Sequence, residues 1–161
     1  MPITAGENLP EATLIEMTAK GPVPVTISDL TKGRRVAMFA VPGAFTPGCH
    51  HKHMPSFVAS AAELSAKGVD DIVCLSVNDP FVMQAWGEAT GANGAGIRML
   101  ADADGSFTEA LGLAFSAAPA GLHGRSQRYS MLVEDGEVKI LNVDEPGQIV
   151  CSLGEALVDQ F

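Results

Sequence analysis

The sequence predicts an α/β fold, a mixed central β-sheet flanked by α-helices, and three observations carry that prediction. Short apolar runs alternate with stretches punctuated as helices. The first two runs, with the helix between them, make a βαβ unit, which implies a parallel pair. A late pair of alternating segments reads as an antiparallel hairpin.

RRVAMFAV (34–41) is an apolar run stopped by Pro42, consistent with a buried strand. The stretch from Phe45 to Gly68 then carries helix punctuation: Thr46 as N-cap, Pro47 at the first helical position, Lys67-Gly68 at the end. Met54, Phe57, Val58 and Ala61 give it a core-facing stripe. DIVCLSV (71–77) is the second strand, and FVMQAWGEAT (81–90) the next helix. IRML, the helix FTEALGL, the hairpin YSMLVEDGEVKILNV around Asp135-Gly136, and the terminal helix SLGEALVDQF complete the order. The glycine-rich GEATGANGAG (87–96) runs helix-to-strand, the reverse of a phosphate-cradling loop, and reads as a connection. Trp86 reads as packing, in the core or at a subunit interface, and His123 as a loop residue. With no repeat or linker in 161 residues, 1–161 is expected to be a single domain.

A net charge of −9 argues against nucleic acid and against an anionic membrane surface, both of which require Lys and Arg to meet phosphate. No apolar run approaches the ~20 residues that span a bilayer. The start, MPITAGENLPE, lacks the basic and apolar regions of a signal peptide, so a cytoplasmic protein or the processed form of an organellar one is expected. Cys49, Cys74 and Cys151 are odd in number with no CxxC, which disfavours a disulfide scaffold and leaves thiol chemistry open.

Cys49 is the third residue of its helix if Thr46 is the cap. The first turn's N–H groups have no intrahelical acceptor and the dipole is positive there, an environment that favours a thiolate. A buried space-filling cysteine is the plain alternative, but this turn is a poor core site. Charge placement adds a second argument. Residues 31–62 and 110–133 contain no Asp or Glu, yet hold all four histidines and six of the ten Lys and Arg: Lys32, Arg34, Arg35, Lys52, Arg125 and Arg128. If the fold joins these segments, a cationic pocket surrounds the thiol. Cys49 and His53, four apart, also share a helix face and could ligate zinc. Pro55 bends that helix, and no CxxC or HxxxH supplies further ligands.

PGAFTPGC resembles the P-x-x-x-T-x-x-C signature of peroxiredoxins, with Pro42, Thr46 and Cys49 in its three places. CLSVNDPFVMQAW, GRSQRYSMLVEDGEVKILNV and CSL are similar to the peroxiredoxin-5 and plant type II branch, from about residue 20 to 161. The resemblance implies a thioredoxin-like fold and a thiol peroxidase without metal, flavin or haem. Its substrates would be hydrogen peroxide and small organic hydroperoxides, its reductant thioredoxin or glutathione with glutaredoxin, and its expected assembly a homodimer. Cys49 would be the peroxidatic cysteine, Thr46 would hold the thiolate and a peroxide oxygen, Pro42 would shield the pocket, and Arg128 would be the catalytic arginine. The resolving cysteine is expected at Cys151, the animal peroxiredoxin-5 place, over Cys74, the plant type II place. Direct reduction by glutathione with glutaredoxin is a third route. Gly48, His50 and Ser56 depart from the family's usual Thr, Ser and Gly. Gly48 is expected to loosen the loop before Cys49. The alternative from another class is a non-enzymatic Cys/His sensor or metal-binding module. Disulfide exchange on the same fold is disfavoured by the missing CxxC.

Overall fold

The computed structural model describes residues 2–161. β1 (Thr13–Thr18) and β2 (Gly21–Thr26) form a hairpin, followed by the short α1 (Ile27–Thr31). β3 (Arg35–Ala40), α2 (Met54–Ala66) and β4 (Asp71–Ser76) are the expected βαβ unit, with β3 and β4 parallel. α3 (Pro80–Thr90) leads to β5 (Ile97–Ala101), which pairs parallel with β4. Then come α4 (Ser106–Ala110), the small antiparallel pair β6 (Ala114–Ala117) and β7 (Leu122–Ser126), the hairpin β8 (Tyr129–Glu134) and β9 (Glu137–Val143), and α5 (Gly154–Val158).

The main sheet has seven strands in the order β2-β1-β5-β4-β3-β8-β9. Its parallel centre, β3-β4-β5, carries antiparallel strands on both sides, the mixed sheet expected from sequence. Successive residues face opposite layers. Phe39, Val41 and Cys74 join Phe57, Leu64 and Trp86 on one side, whereas Met38, Ala40 and Leu75 join Leu30, Phe107 and Tyr129 on the other. Met54, Phe57 and Ala61 are buried as expected, with Val58 at the margin. Asp135 and Gly136 both take positive φ, 50° and 83°, the geometry a two-residue hairpin turn demands. Among the described residues, no helix is long and apolar enough to cross a membrane.

The first hairpin and the β6–β7 pair lie outside the sequence expectation. His123, expected in a loop, is an exposed residue of β7, where the left-handed Gly121 reverses the chain onto β6.

Candidate active site

The chain leaves β3 through Val41 and Pro42 into a tight turn. Phe45 adopts φ +64°, a left-handed conformation uncommon outside glycine, and its ring is half exposed. Thr46 occupies the expected N-cap position, its carbonyl accepting the His50 N–H at 2.8 Å. Its hydroxyl, however, donates to the Gly43 carbonyl at 2.8 Å and so ties the turn together instead of capping the helix. The helix then widens. Cys49–His53 form a π-turn in which the Met54 N–H reaches back to the Cys49 carbonyl. Pro55 follows with no N–H to offer, and the extra residue of the π-turn accommodates that missing donor.

Cys49 is fully buried among core residues, contrary to the expectation that this turn is a poor core site. The wider turn and the neighbouring β3 and α2 cover it. One polar group reaches the sulfur: Arg128 Nη2 donates to Sγ at 3.2 Å. Arg128 precedes β8, and its carbonyl accepts the Asp144 N–H at 2.9 Å, where β9 ends. The two acid-free segments therefore do meet at the thiol. Arg125 comes with its neighbour, Nη1 donating to the Pro42 carbonyl at 3.3 Å. Arg34 and Arg35 do not. They stand at the other end of β3, paired with Asp71 and Glu134, and Lys32 and Lys52 are exposed. Four of the six Lys and Arg thus serve ordinary ion pairs or the surface.

His53 does not bind a metal with Cys49. Arg128 Nη1 donates to its Nδ1 at 3.0 Å, and its Nε2 lies 2.9 Å from the Ser152 carbonyl. With both nitrogens engaged, no lone pair is left for a cation, and the metal-module reading fails on this geometry. Burial first, and Arg128 second, push the ring's pKa down to about 3. Trp86, fully buried in the core, donates its indole N–H to His50 Nδ1 at 3.0 Å, and the His50 ring stacks on Phe45.

Cys151 is exposed on a turn before α5. Its sulfur donates to Asp144 Oδ1 at 3.1 Å, and the packing around it, then that carboxylate, push the thiol up to about 11. Asp144 also accepts from the backbone N–H of Val150, Cys151 and Ser152 and from the Ser152 hydroxyl. Burial works against its charge, but these bonds hold its pKa down to about 2. Cys74 is fully buried in mid-strand, opposite Phe39 on one side and Met99 on the other. Burial, then neighbouring Cys49, push its thiol well above the ordinary range.

An open cleft of about 300 Å³ abuts Arg128, walled by Pro42, Thr46, Phe115, Leu122 and Ile149. Pro42, Thr46 and Arg128 therefore share one cavity wall with Cys49 behind it.

The family model described as Redoxin matches residues 4–156. The chain is 48% identical over 160 residues to peroxiredoxin-2E-2, chloroplastic, of Oryza sativa subsp. japonica, covering 97% of this chain and 71% of the relative. It superposes on reduced Prx3 in complex with hydrogen peroxide from Vibrio vulnificus with a TM-score of 0.92 at 47% identity, covering 98% of each chain. Peroxiredoxin 5 from Alvinella pompejana gives 0.83 at 35% identity, covering 98% of this chain and 96% of that one. The chain belongs to the Redoxin family, as a peroxiredoxin of the peroxiredoxin-5 and plant type II branch. It has that family's thioredoxin-like fold and is a thiol-dependent peroxidase, and none of these relatives supports the alternative of a sensor or metal module.

Sequence reasoning passed over Asp144, and it read His53 as a possible zinc ligand and as a histidine usual in the peroxiredoxin-5 and plant type II branch, without giving it a role at the site. Asp144 bonds residues six to eight places ahead, beyond the two- or three-residue reach of Asx-turn signals. For His53 the signal was present: a histidine four residues after a cysteine at a helix start faces whatever the cysteine faces.

Proposed function

We propose that Cys49 is the peroxidatic cysteine and that Arg128, Thr46 and Pro42 form its catalytic surround, the whole chain acting as one domain. The observation that carries this reading is the 3.2 Å hydrogen bond from Arg128 Nη2 to Cys49 Sγ. The thiolate attacks one peroxide oxygen and the O–O bond breaks. Cys49 becomes a sulfenic acid, and the leaving oxygen takes a proton to depart as water or an alcohol. Arg128 stabilises the thiolate and the charge developing on the leaving oxygen. The hydroxyl of Thr46 turns to the peroxide, and Pro42 keeps bulk water off the sulfur. Substrates are hydrogen peroxide and small organic hydroperoxides.

Cys151 is the resolving cysteine. Its thiol condenses with the sulfenic acid, forming the disulfide and releasing water, and thioredoxin then reduces the bond. Exposure and a turn position favour it, whereas moving Cys74 would break ladder pairing on both of its flanks. Glutathione with glutaredoxin is the alternative reductant. The protein works in the cytoplasm or within an organelle, as a homodimer for which the exposed Phe45 and Phe81 offer apolar surface.

Steady-state peroxide consumption with each reductant tests the assignment. Cys49→Ser abolishes turnover, and Arg128→Lys, which lacks the planar fork, lowers it by roughly 10²-fold or more. After stoichiometric peroxide, non-reduced peptides contain a Cys49–Cys151 bond. A Cys49–Cys74 peptide moves resolution to the strand. Full glutaredoxin-supported turnover in Cys151→Ser makes Cys151 a bystander.

A further inference from the structure

The geometry points to His53 as the positioning residue for Arg128, held in one tautomer by the Ser152 carbonyl and anchored through that turn to Asp144. This rests on the reading of Cys49 and Arg128 given above.

An arginine has only N–H groups to offer, so the nitrogen of His53 that faces it must be a bare acceptor. That nitrogen is Nδ1, 3.0 Å from Arg128 Nη1. The ring proton then sits on Nε2, which donates to the Ser152 carbonyl at 2.9 Å. Each partner demands the same tautomer. The ring cannot pivot, because it packs against Phe39 and Phe57 at centroid distances of 5.1 and 5.7 Å, and those two rings stack on each other. Nor can it readily take a second proton, which would turn an N–H toward Arg128 in a site with no exposure. Arg128 and, farther off, Asp144 are the charged groups acting on it.

The consequence falls on the guanidinium. Nη1 is fixed by His53, and this aims Nη2 at Cys49 Sγ. The Ser152 carbonyl is itself fixed, since Asp144 gathers the N–H groups of Val150, Cys151 and Ser152 and the Ser152 hydroxyl. The Asp144 backbone N–H closes the circuit on the Arg128 carbonyl at 2.9 Å. A hydrogen-bonded path thus joins the turn that carries Cys151 to the sulfur of Cys49. When that turn moves to bring Cys151 in, His53 loses its acceptor and Arg128 its hold.

Two measurements test this. In the wild-type protein, ring ¹⁵N NMR of His53 shows a neutral imidazole with the proton on Nε2 at neutral pH. An imidazolium, or a proton on Nδ1, overturns the proposal. The second is a variant series read as two rates at Cys49: reaction with hydrogen peroxide and alkylation by iodoacetamide. Alkylation uses the same thiolate but breaks no O–O bond, so it does not draw on the guanidinium's stabilisation of a leaving oxygen. His53→Phe, which keeps the ring stack but neither nitrogen, lowers the peroxide rate by roughly 10- to 100-fold while alkylation changes far less, as expected for a misaimed group. His53→Asn, whose amide oxygen can stand near Nδ1, recovers most of the peroxide rate. His53→Gln, which reaches toward the Nε2 position instead, does not. Equal losses in both rates, or no recovery by Asn over Gln, overturn the proposal. Arg128→Met is measured alongside. If it keeps the wild-type peroxide rate, the reading of Arg128 has failed; if it loses that rate while His53→Phe does not, only the role of His53 has.

Discussion

Gly48 is the residue where space, not flexibility, decides. It lies in right-handed helical conformation at φ −65°, so it does not loosen the loop before Cys49 as its identity suggests. A Cβ there would stand 2.4 Å from Ile149 Cδ1 and 3.3 Å from Arg128 Nη2. The vacancy is filled by Ile149, a cleft residue on the turn two places before Cys151. Because Cδ1 is the end of a flexible side chain, Gly48→Ala folds, and removing a helical glycine offsets part of the crowding by about 0.5–1 kcal/mol. It still pushes Ile149 toward the cleft and crowds the guanidinium. Gly48→Ala is therefore expected to slow peroxide consumption by roughly 10-fold, and Ile149→Ala on that background to restore part of it, a non-additivity that contact between the two sites produces. Additive losses in the double-mutant cycle would contradict the contact. Single residues were unevenly legible in the sequence. Cys49, Thr46 and Arg128 stood out by motif and by the absence of carboxylates around them. The partners of Gly48 and Asp144 depend on how a distant turn folds back, which no local pattern encodes.

At the level of elements, the π-turn Cys49–His53 sets the direction of the two site side chains it carries ahead of α2. In an uninterrupted α-helix residue 55 would donate to the carbonyl of His51, and proline cannot. Pro55→Ala returns that donor and lets the helix compete for regular spacing, rotating Cys49 and His53 relative to α2. Since Pro55 is exposed, the change leaves no cavity. Its expected signature is a separation of properties: thermal stability unchanged or raised, peroxide consumption lower by roughly 10-fold. Unchanged activity would mean that the π-turn is held by tertiary packing alone. The strands and helices around it were readable where periodicity and turn chemistry agree, as in the βαβ unit and the Asp135-Gly136 hairpin. β2 was not, because it contains Pro22 and Pro24; it tolerates both as an edge strand. β6 and β7 were not, because Ala, Gly and Ser dominate them and carry little strand preference. The small pair nonetheless matters, since Phe115 and Leu122 wall the cleft.

Across the whole molecule, the circuit that organises the site also ties stability to pH. His53 falls from its ordinary 6.5 to about 3 on folding, chiefly through burial and then through Arg128. The unfolded chain therefore binds a proton at this residue that the folded chain refuses, and stability from it is complete above about 6.5 and drains as pH falls toward 3. Asp144 acts in the same direction lower down. Held from 3.8 to about 2 by its hydrogen bonds against the pull of burial, it contributes stability above 3.8 that is lost as pH falls through 2. Between about pH 6 and 5 the carboxylates stay ionised in both states, so the slope there reports mainly on histidines, at about 1.4 kcal/mol per pH unit for one proton. Urea unfolding at stepped pH should show that fall in the wild type. It should be flatter in His53→Phe, whose ring has no proton to take up, even though that variant is the less stable of the two at neutral pH. Asp144→Asn should leave the pH 6 to 5 slope intact and lose the part below pH 4. A wild-type stability that is level from pH 6 to 5 would mean that His53 is protonated as readily in the folded protein as in the unfolded one. The neutral ring between Arg128 and Ser152 would then be the wrong description of this site.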